Sequence, residues 1–201
     1  AFHPHGNILA TGSYNTACLW NTETGQKLHR LPHSAWVLPL AFHPRGNMLA
    51  TGSQDKAVCL WNVETGQKLH TFPHNGYVRA VAFHPCGNML ATGSEDNTAC
   101  LWNTDTGQKL HTLQHDKAVR ALAFHPRGNI LAIGSDRAYL WNTETGQKLH
   151  TLQHNHGVLA VAFHPDGNML ATGSRDNTVC LWNANTGQKL HTLRHHNLVQ
   201  A

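Results

Sequence analysis

The sequence predicts an all-β protein built from five copies of one four-stranded unit. Two observations support this prediction: a Phe-His-Pro-x-Gly-Asn segment recurs five times in 201 residues, and turn residues fall every 8 to 12 residues within each copy. No stretch has the apolar periodicity of a helix. The composition is typical of a folded chain, since 40% of the residues are hydrophobic and only 13% are charged.

The repeat has a nearly constant length. The recurring segment begins at Phe2, Phe42, Phe83, Phe124 and Phe163, with spacings of 40, 41, 41 and 39 residues. Each copy continues through Leu-Ala-x-Gly-Ser and Leu-Trp-Asn to Thr-Gly-Gln-Lys-Leu-His. We therefore treat residues 1–201 as one domain, with units at approximately 1–40, 41–81, 82–122, 123–161 and 162–201.

The third copy illustrates how each unit divides into four strands. Val78–Phe83 ends at a Pro-Cys-Gly-Asn turn, and Met89–Ser94 ends at Glu-Asp-Asn. Thr98–Trp102 alternates polar and apolar residues, and a Thr-Gly turn leads into Gln108–Leu113. A sheet of this size cannot cover both of its faces, so the units must stack in a row or around an axis.

The recurring Gly-Ser, Leu-Trp and terminal His elements, at a period near 40 residues, resemble the WD-repeat family over the whole chain. This resemblance implies a five-bladed WD-type β-propeller with four antiparallel strands per blade. One departure is consistent, because Asn replaces the family's Asp after each Trp, at Asn21, Asn62, Asn103, Asn142 and Asn183.

The resemblance also implies a hydrogen-bond network of His, Ser, a turn Asp and Trp in each blade. Carried over by position, three complete sets are His33, Ser53, Asp55 and Trp61; His74, Ser94, Asp96 and Trp102; and His154, Ser174, Asp176 and Trp182. A fourth set is His115, Ser135 and Trp141, with Asp136 as a less regular turn member. The first blade offers Ser13, Asn15 and Trp20, and its His can come only from His195.

The repeat stays in phase across the two ends of the chain. From Phe163 to the last residue and on from Ala1 to Phe2 is 40 residues, so the innermost strand of one blade is divided between the termini. We therefore expect a ring closed near the termini, with His195 bonded to the first blade. A monomer is favoured, and the alternative is a ring shared by two or more chains, with the divided strand completed between molecules.

Charge, apolar runs and cysteine positions argue against several classes of partner. The net charge is +4, but the Lys residues recur evenly along the repeat rather than gathering on one face, so nucleic-acid binding is not expected. No apolar run approaches the roughly 20 residues that span a bilayer. Four of the five Cys occupy one repeat position, too far apart to pair, which favours reduced thiols and a cytoplasmic location.

The repeated His and Ser residues, which could in principle perform chemistry, are better explained as parts of the repeated structure. Fifteen of the 18 His fall at three repeat positions, and no unit gathers ligands at a metal-site spacing. The five Ser, each with a nearby His, do not form the single asymmetric pocket that catalysis needs. We predict no enzyme activity, no catalytic residue, no metal and no cofactor.

The loops that join consecutive units contain most of the variation between copies. In the WD-repeat family the corresponding face commonly binds peptides and proteins, and Trp, Tyr and Arg contribute strongly to interfaces. The predicted binding patch is Trp36, Tyr77, Arg79, Lys117 and Arg120. The function predicted is thus a protein- or peptide-interaction scaffold. Neutral variation of the loops, a lectin-like propeller with one pocket per blade, and an assembly module remain as alternatives.

Overall fold

A computed structural model describes residues 1–199 and contains only β-strands, grouped in five antiparallel sheets. The first sheet has three strands, to which Phe2 adds a single bridge opposite Leu9. The strands of the first two sheets are β1 Ile8–Ser13, β2 Thr16–Asn21, β3 Lys27–Pro32, β4 Val37–Phe42, β5 Met48–Ser53, β6 Ala57–Asn62 and β7 Lys68–Pro73. Those of the third sheet are β8 Val78–Phe83, β9 Met89–Ser94, β10 Thr98–Asn103 and β11 Lys109–Gln114. Those of the last two are β12 Ala121–Phe124, β13 Ile130–Gly134, β14 Ala138–Asn142, β15 Lys148–Leu152, β16 Val158–Phe163, β17 Met169–Ser174, β18 Thr178–Asn183 and β19 Lys189–Arg194.

Each sheet is a meander in which strands that follow one another in the chain are neighbours. Tight turns allow this arrangement, because the second turn contains a residue in the left-handed region at Asn15, Lys56, Asn97 or Asn177. A register shift just before each conserved Trp, as between Leu60 and Trp61, bends the outer strand. The fold is therefore the repeated four-stranded blade that the sequence predicts.

The core lies between neighbouring sheets rather than inside any one of them. Each of the first four sheets packs a forward face, formed by two smaller residues and two large ones, against the backward face of the next sheet. The forward faces of the first four sheets are Ala10, Ala17, Leu19 and Leu31; Ala50, Val58, Leu60 and Phe72; Ala91, Ala99, Leu101 and Leu113; and Ala132, Ala138, Leu140 and Leu152. The opposing backward face carries the conserved Leu and Trp, for example Leu49 and Trp61.

Two of the three repeated histidine positions link consecutive units through bonds to backbone carbonyls. At one position, the Nε2 atoms of His3 and His125 donate to the carbonyl oxygens of Gly46 and Gly167 in the following unit, both at 3.0 Å. At the other, His29 Nε2 donates to the carbonyl of Glu64 at 2.8 Å. The equivalent bonds run from His70 to Asp105, from His111 to Glu144 and from His150 to Asn185. These rings therefore serve as structural connectors between blades.

The five sheets form an open arc, which corrects the expected ring closure. Innermost strands pack in succession, β4 on β8, β8 on β12 and β12 on β16, whereas within residues 1–199 no comparable packing joins the fifth sheet to the first. Phe2 is 75% exposed, and His195 is exposed and makes no side-chain hydrogen bond to any residue of the described first sheet. The predicted completion of the innermost strand falls on residues 200 and 201, outside the described residues.

Candidate functional site

A hydrogen-bond chain connects the second, third and fifth sheets to the loops that precede them. At the second sheet, Trp61 Nε1 donates to Thr51 Oγ1 at 2.8 Å, and that hydroxyl lies 2.7 Å from His33 Nε2. The other ring nitrogen, His33 Nδ1, lies 3.0 Å from Asp55 Oδ2. The same chain recurs through Thr92 at the third sheet and through Thr172 at the fifth.

This geometry corrects one assignment in the predicted network, since threonine rather than Ser53, Ser94 or Ser174 joins His to Trp. Successive strand residues point to opposite faces, so Thr51 and Ser53 share a face but only Thr51 lies beside the Trp. Ser53 instead accepts a hydrogen bond from the amide N–H of Asp55 at 3.1 Å and donates to the carbonyl of Ala35. The serine therefore holds the second turn of its sheet against the loop that precedes that sheet.

Burial holds the histidines of this network neutral. Burial lowers the pKa of His33, His74 and His154, an effect that exceeds the opposing influence of the Asp partners. Burial alone would raise the pKa of Asp55, but the amide N–H of Ser34 and the ring of His33 keep that pKa below its usual value. A neutral His whose Nδ1–H bonds Asp accepts at Nε2, so the Thr hydroxyl donates to it.

The network is incomplete at the fourth sheet. Ile133 stands where the other units have Thr, and consequently His115 Nε2 and Trp141 Nε1 are buried without a hydrogen-bond partner. Asp136 accepts from the hydroxyl of Tyr139 at 2.8 Å instead of pairing with His115. Burial lowers the pKa of His115 to about 4.

At the first sheet the network has a Trp and a Thr but no His. Trp20 Nε1 donates to Thr11 Oγ1 at 2.8 Å, and Thr11 is exposed where its equivalents are buried. Ser13 is exposed as well. The predicted bond from His195 to this blade is therefore wrong, because the open arc holds the two apart.

The inter-unit loops and the second turns lie on one face of the arc, called here the loop face. Backbone hydrogen bonds hold them together: the N–H groups of Gln54, Glu95 and Arg175 donate to the carbonyls of Trp36, Tyr77 and Gly157 at 2.9 to 3.0 Å. The predicted patch thus lies on a surface that also contains the residue after each network Ser.

The patch divides into an aromatic part and a basic part. Trp36 is 49% exposed and packs edge-on against Tyr14, with ring centroids 5.7 Å apart. Tyr77 lies under the guanidinium of Arg79, which is also paired with Glu95 at 2.6 Å. Arg79 is thus already paired with Glu95, so this part of the patch offers a partner an aromatic surface rather than a free charge.

The basic part is a cavity of about 510 Å³ between the loops that precede the fourth and fifth sheets. Lys117 and Arg120 line it together with two residues that the sequence analysis did not select, Arg137 and Arg175. Asp136 is the one carboxylate among its lining residues, and Tyr139 already donates to it. Asp136 Oδ2 also lies 3.8 Å from Arg137 Nε, which leaves Lys117, Arg120 and Arg175 without a carboxylate partner among the lining residues. The cavity is therefore electropositive.

The residues on this face that sequence reasoning missed all lie in the second turn of their units. Tyr14, Glu95 and Arg175 each follow the network Ser directly, and Arg137 lies two residues after Ser135. The residues of this turn vary between copies as much as the inter-unit loops do, and that variation is the one sign in the sequence that they belong to the same surface. The sequence alone does not reveal the surface, because only the folded hairpins place the second turn beside the preceding loop.

A smaller pocket recurs along the outer side of the blades. One of about 430 Å³ is lined by His33, Asp55 and Lys68, and one of about 260 Å³ by their equivalents His74, Asp96 and Lys109. In both, the His and Asp are already bonded to each other.

Comparison with known families decides the classification. The family model described as WD domain, G-beta repeat, matches residues 1–21, 25–62, 66–103, 107–140 and 146–183. The chain belongs to the WD40 family. The five matched stretches equal the five sheets in number, but they are offset by one strand: residues 25–62, for example, hold the outer strand β3 of the first sheet and strands β4 to β6 of the second.

Among solved structures, this WD40 chain is similar to the computationally designed Ika8 protein, with a TM-score of 0.90 and 32% sequence identity. The match covers all of this chain and 62% of the designed one, so the chain spans less than two thirds of that protein. Five repeats in 62% of a chain leave room there for about three more, which is consistent with an arc. No curated protein matches the chain. Within residues 1–199 the structure has no helix long and apolar enough to cross a membrane.

Proposed function

We propose that this WD40 chain is a non-enzymatic scaffold whose loop face binds an acidic segment of a partner protein or peptide. The observation that carries the proposal is the electropositive cavity lined by Lys117, Arg120, Arg137 and Arg175. Arginine side chains bind carboxylates with two parallel hydrogen bonds, and a partly enclosed cavity strengthens that attraction.

The aromatic part of the patch supports a longer contact. Trp36 and Tyr77 present large apolar surfaces beside loops that the hydrogen-bonded turns hold in place. Exposed aromatic residues on a rigid surface are typical centres of binding energy. An extended peptide with both acidic and apolar residues is therefore the class of partner that this face fits.

The absence of catalysis is part of the proposal and rests on how the candidate groups are used. Ser53 is bonded to Asp55 and Ala35, and the ring of His33 bonds Asp55 and Thr51. A serine nucleophile needs its hydroxyl beside the base, whereas here the base faces a threonine inside the network. The free thiols of the five Cys support a reducing location such as the cytoplasm.

A labelled deca-glutamate peptide, followed by fluorescence anisotropy, tests the proposal. The wild-type chain should bind it, with an affinity that falls as salt is raised because the contact is ionic. Arg120→Ala combined with Arg175→Ala should weaken binding by about tenfold or more, which corresponds to roughly 1.4 kcal/mol.

The matched control is Arg127→Ala. Arg127 is an exposed arginine in the turn between the first two strands of its sheet, at the opposite end from the loop face. This variant should bind as the wild type does. Equal losses in the control and the double variant, or unchanged binding in the double variant, would show that the cavity is not the site.

The lectin-like alternative has one supporting observation, the recurring pocket beside His33 and His74. A glycan array distinguishes the two functions. Sugar binding that survives Arg120→Ala with Arg175→Ala would favour the lectin, and a blank array together with peptide binding would favour the scaffold.

A further inference from the structure

The loop that joins the second and third sheets contains the only Asn-Gly pair in the sequence, Asn75-Gly76. It lies between β7, which ends at Pro73, and β8, which begins at Val78. In such a pair the backbone nitrogen of the glycine can attack the side-chain amide of the asparagine, because glycine has no side chain to obstruct the approach. Among the asparagines of this chain, Asn75 is therefore the one whose neighbour hinders this attack least.

Both reacting groups are free in the part of the chain that the structure describes. Asn75 is exposed, and its side-chain amide makes no hydrogen bond to another described residue. Its backbone N–H donates to Asp96 Oδ2 at 2.8 Å, which anchors the main chain and leaves the side chain unbonded. The N–H of Gly76 likewise donates to no described residue. The two groups can thus react without first breaking a hydrogen bond.

Packing requires a glycine at position 76. A Cβ atom added to Gly76 would lie 2.5 Å from the backbone nitrogen of Asp96 and 2.8 Å from the carbonyl carbon of Glu95. Both neighbours are backbone atoms, which cannot move aside as the end of a flexible side chain can. The fold therefore keeps the least obstructive residue directly after Asn75.

We propose that Asn75 is a site of spontaneous deamidation, at which its side-chain amide becomes a carboxylate. The backbone nitrogen of Gly76 loses its proton to water and attacks Cγ of Asn75, and the new C–N bond closes a succinimide ring. The bond from Cγ to the amide nitrogen breaks, and that nitrogen takes a proton and leaves as ammonia. Water then opens the ring at either carbonyl. The products are an aspartyl residue at position 75 and its isoaspartyl isomer, in which the main chain runs through Cβ and Cγ.

The conversion changes the loop face in two ways. It adds a negative charge two residues before Tyr77 of the patch, beside the carboxylate of Asp96, and like charges at short range repel. The isoaspartyl product also adds one atom to the main chain, where Gly76 already lies too close to the turn for a methyl group. We expect the hydrogen-bonded contact between this loop and Asp96 to weaken as the conversion proceeds.

The fifth sheet supplies a matched control within the same molecule. Asn155 occupies the equivalent loop position, is exposed, and donates its backbone N–H to Asp176 Oδ2 at 3.0 Å. It is followed by His156, whose side chain obstructs the attack. A difference in rate between Asn75 and Asn155 therefore reports the residue that follows each of them, since exposure and backbone contact are the same.

Peptide mass spectrometry of the folded chain, incubated at mildly alkaline pH, tests the proposal. Trypsin releases residues 69–79, in which Asn75 is the single Asn. This fragment should gain about one mass unit and separate into two products, one of which an isoaspartyl methyltransferase should label. When half of Asn75 has converted, Asn155 should be unchanged. Circular dichroism verifies that the sheets remain intact during the incubation.

Two variants test the role of the pair itself. His156→Gly places an Asn-Gly pair in the equivalent loop and should make Asn155 convert at about the rate of Asn75. Asn75→Gln, whose longer side chain would have to close a larger ring, should abolish the gain of mass in residues 69–79. Equal conversion of Asn75 and Asn155 in the wild type overturns the proposal. So does an unmodified Asn75 in the folded chain while a free peptide of residues 69–79 converts, because the fold would then protect the amide.

Discussion

Replacing Ile133 by threonine should stabilise the protein, because it supplies the hydroxyl that the fourth unit lacks. In the complete networks that oxygen accepts from Trp Nε1 at 2.8 to 2.9 Å and lies 2.7 to 2.8 Å from His Nε2. At the fourth sheet, Trp141 Nε1 and His115 Nε2 are both buried without a partner. Leaving a buried polar group unsatisfied costs about 1–3 kcal/mol, so two such groups represent about 2–6 kcal/mol.

The substitution also removes apolar contact. Ile133 is fully buried, and shortening it by one carbon should destabilise the protein by about 0.5–1.5 kcal/mol. The net expectation for Ile133→Thr is therefore a gain of about 0.5–5.5 kcal/mol in the free energy of unfolding. Thr92→Ile at the third sheet makes the opposite change and should lose a comparable amount.

The matched control is Ile133→Val, which has the shape of threonine without the hydroxyl. It should destabilise the protein by about 0.5–1.5 kcal/mol. Urea unfolding measures both variants, with a change in midpoint at constant slope taken as a change in stability. If Ile133→Thr were no more stable than Ile133→Val, the hydroxyl would have no role as a bridge and this account of the network would be refuted.

Three further predictions concern the core, the pH response and a turn. Trp61→Ala should lower the free energy of unfolding, measured with urea, by about 3–5 kcal/mol. Trp20→Ala should lower it clearly less, because Trp61 is 2% exposed whereas Trp20 is half-buried. Equal losses in the two variants would contradict the open arc. The pKa of His115 is about 4 in the fold and near 6.5 when unfolded, so between these values only the unfolded chain binds the proton. The free energy of unfolding should therefore fall as the pH is lowered from 6.5 toward 4, by up to about 1.4 kcal/mol per pH unit. The fall should be smaller in the His115→Gln variant. Urea midpoints that coincide at pH 7 and pH 5 would contradict this prediction. Gly87→Ala should be far more destabilising than Gly25→Ala in thermal melts, since both have positive φ but only at Gly87 would the methyl overlap a histidine ring.

Local features of the fold could be predicted from the repeat. Val78–Phe83 and Met89–Ser94 were predicted with their observed bounds, and Thr98–Trp102 is one residue shorter than the observed strand. Alternation of polar and apolar residues and the turn residues between them determine these strands locally, which explains the agreement.

Features that depend on packing between units could not be predicted in this way. The curvature of the arc depends on the angle between neighbouring sheets, which leaves no mark in the spacing of the repeats. The role of Thr51 was missed because the Gly-Ser pair is the more conspicuous motif, although Ile133 at the same repeat position was a visible exception. The cavity between Arg120 and Arg175 forms from residues 55 positions apart, so only the folded hairpins bring them together.

The missing hydroxyl at Ile133 also has a consequence for cooperativity. In a repeat array each unit contacts only its neighbours, so the order of unfolding depends on the weakest junction as well as on the two ends. The junction between the third and fourth units retains its apolar layer and the bond from His111 to Glu144, but it lacks the His–Thr–Trp network found at the junctions on either side of it. The molecule therefore divides most readily there, into a block of three units and a block of two, and hydrogen exchange should reveal two cooperative segments that meet near His115.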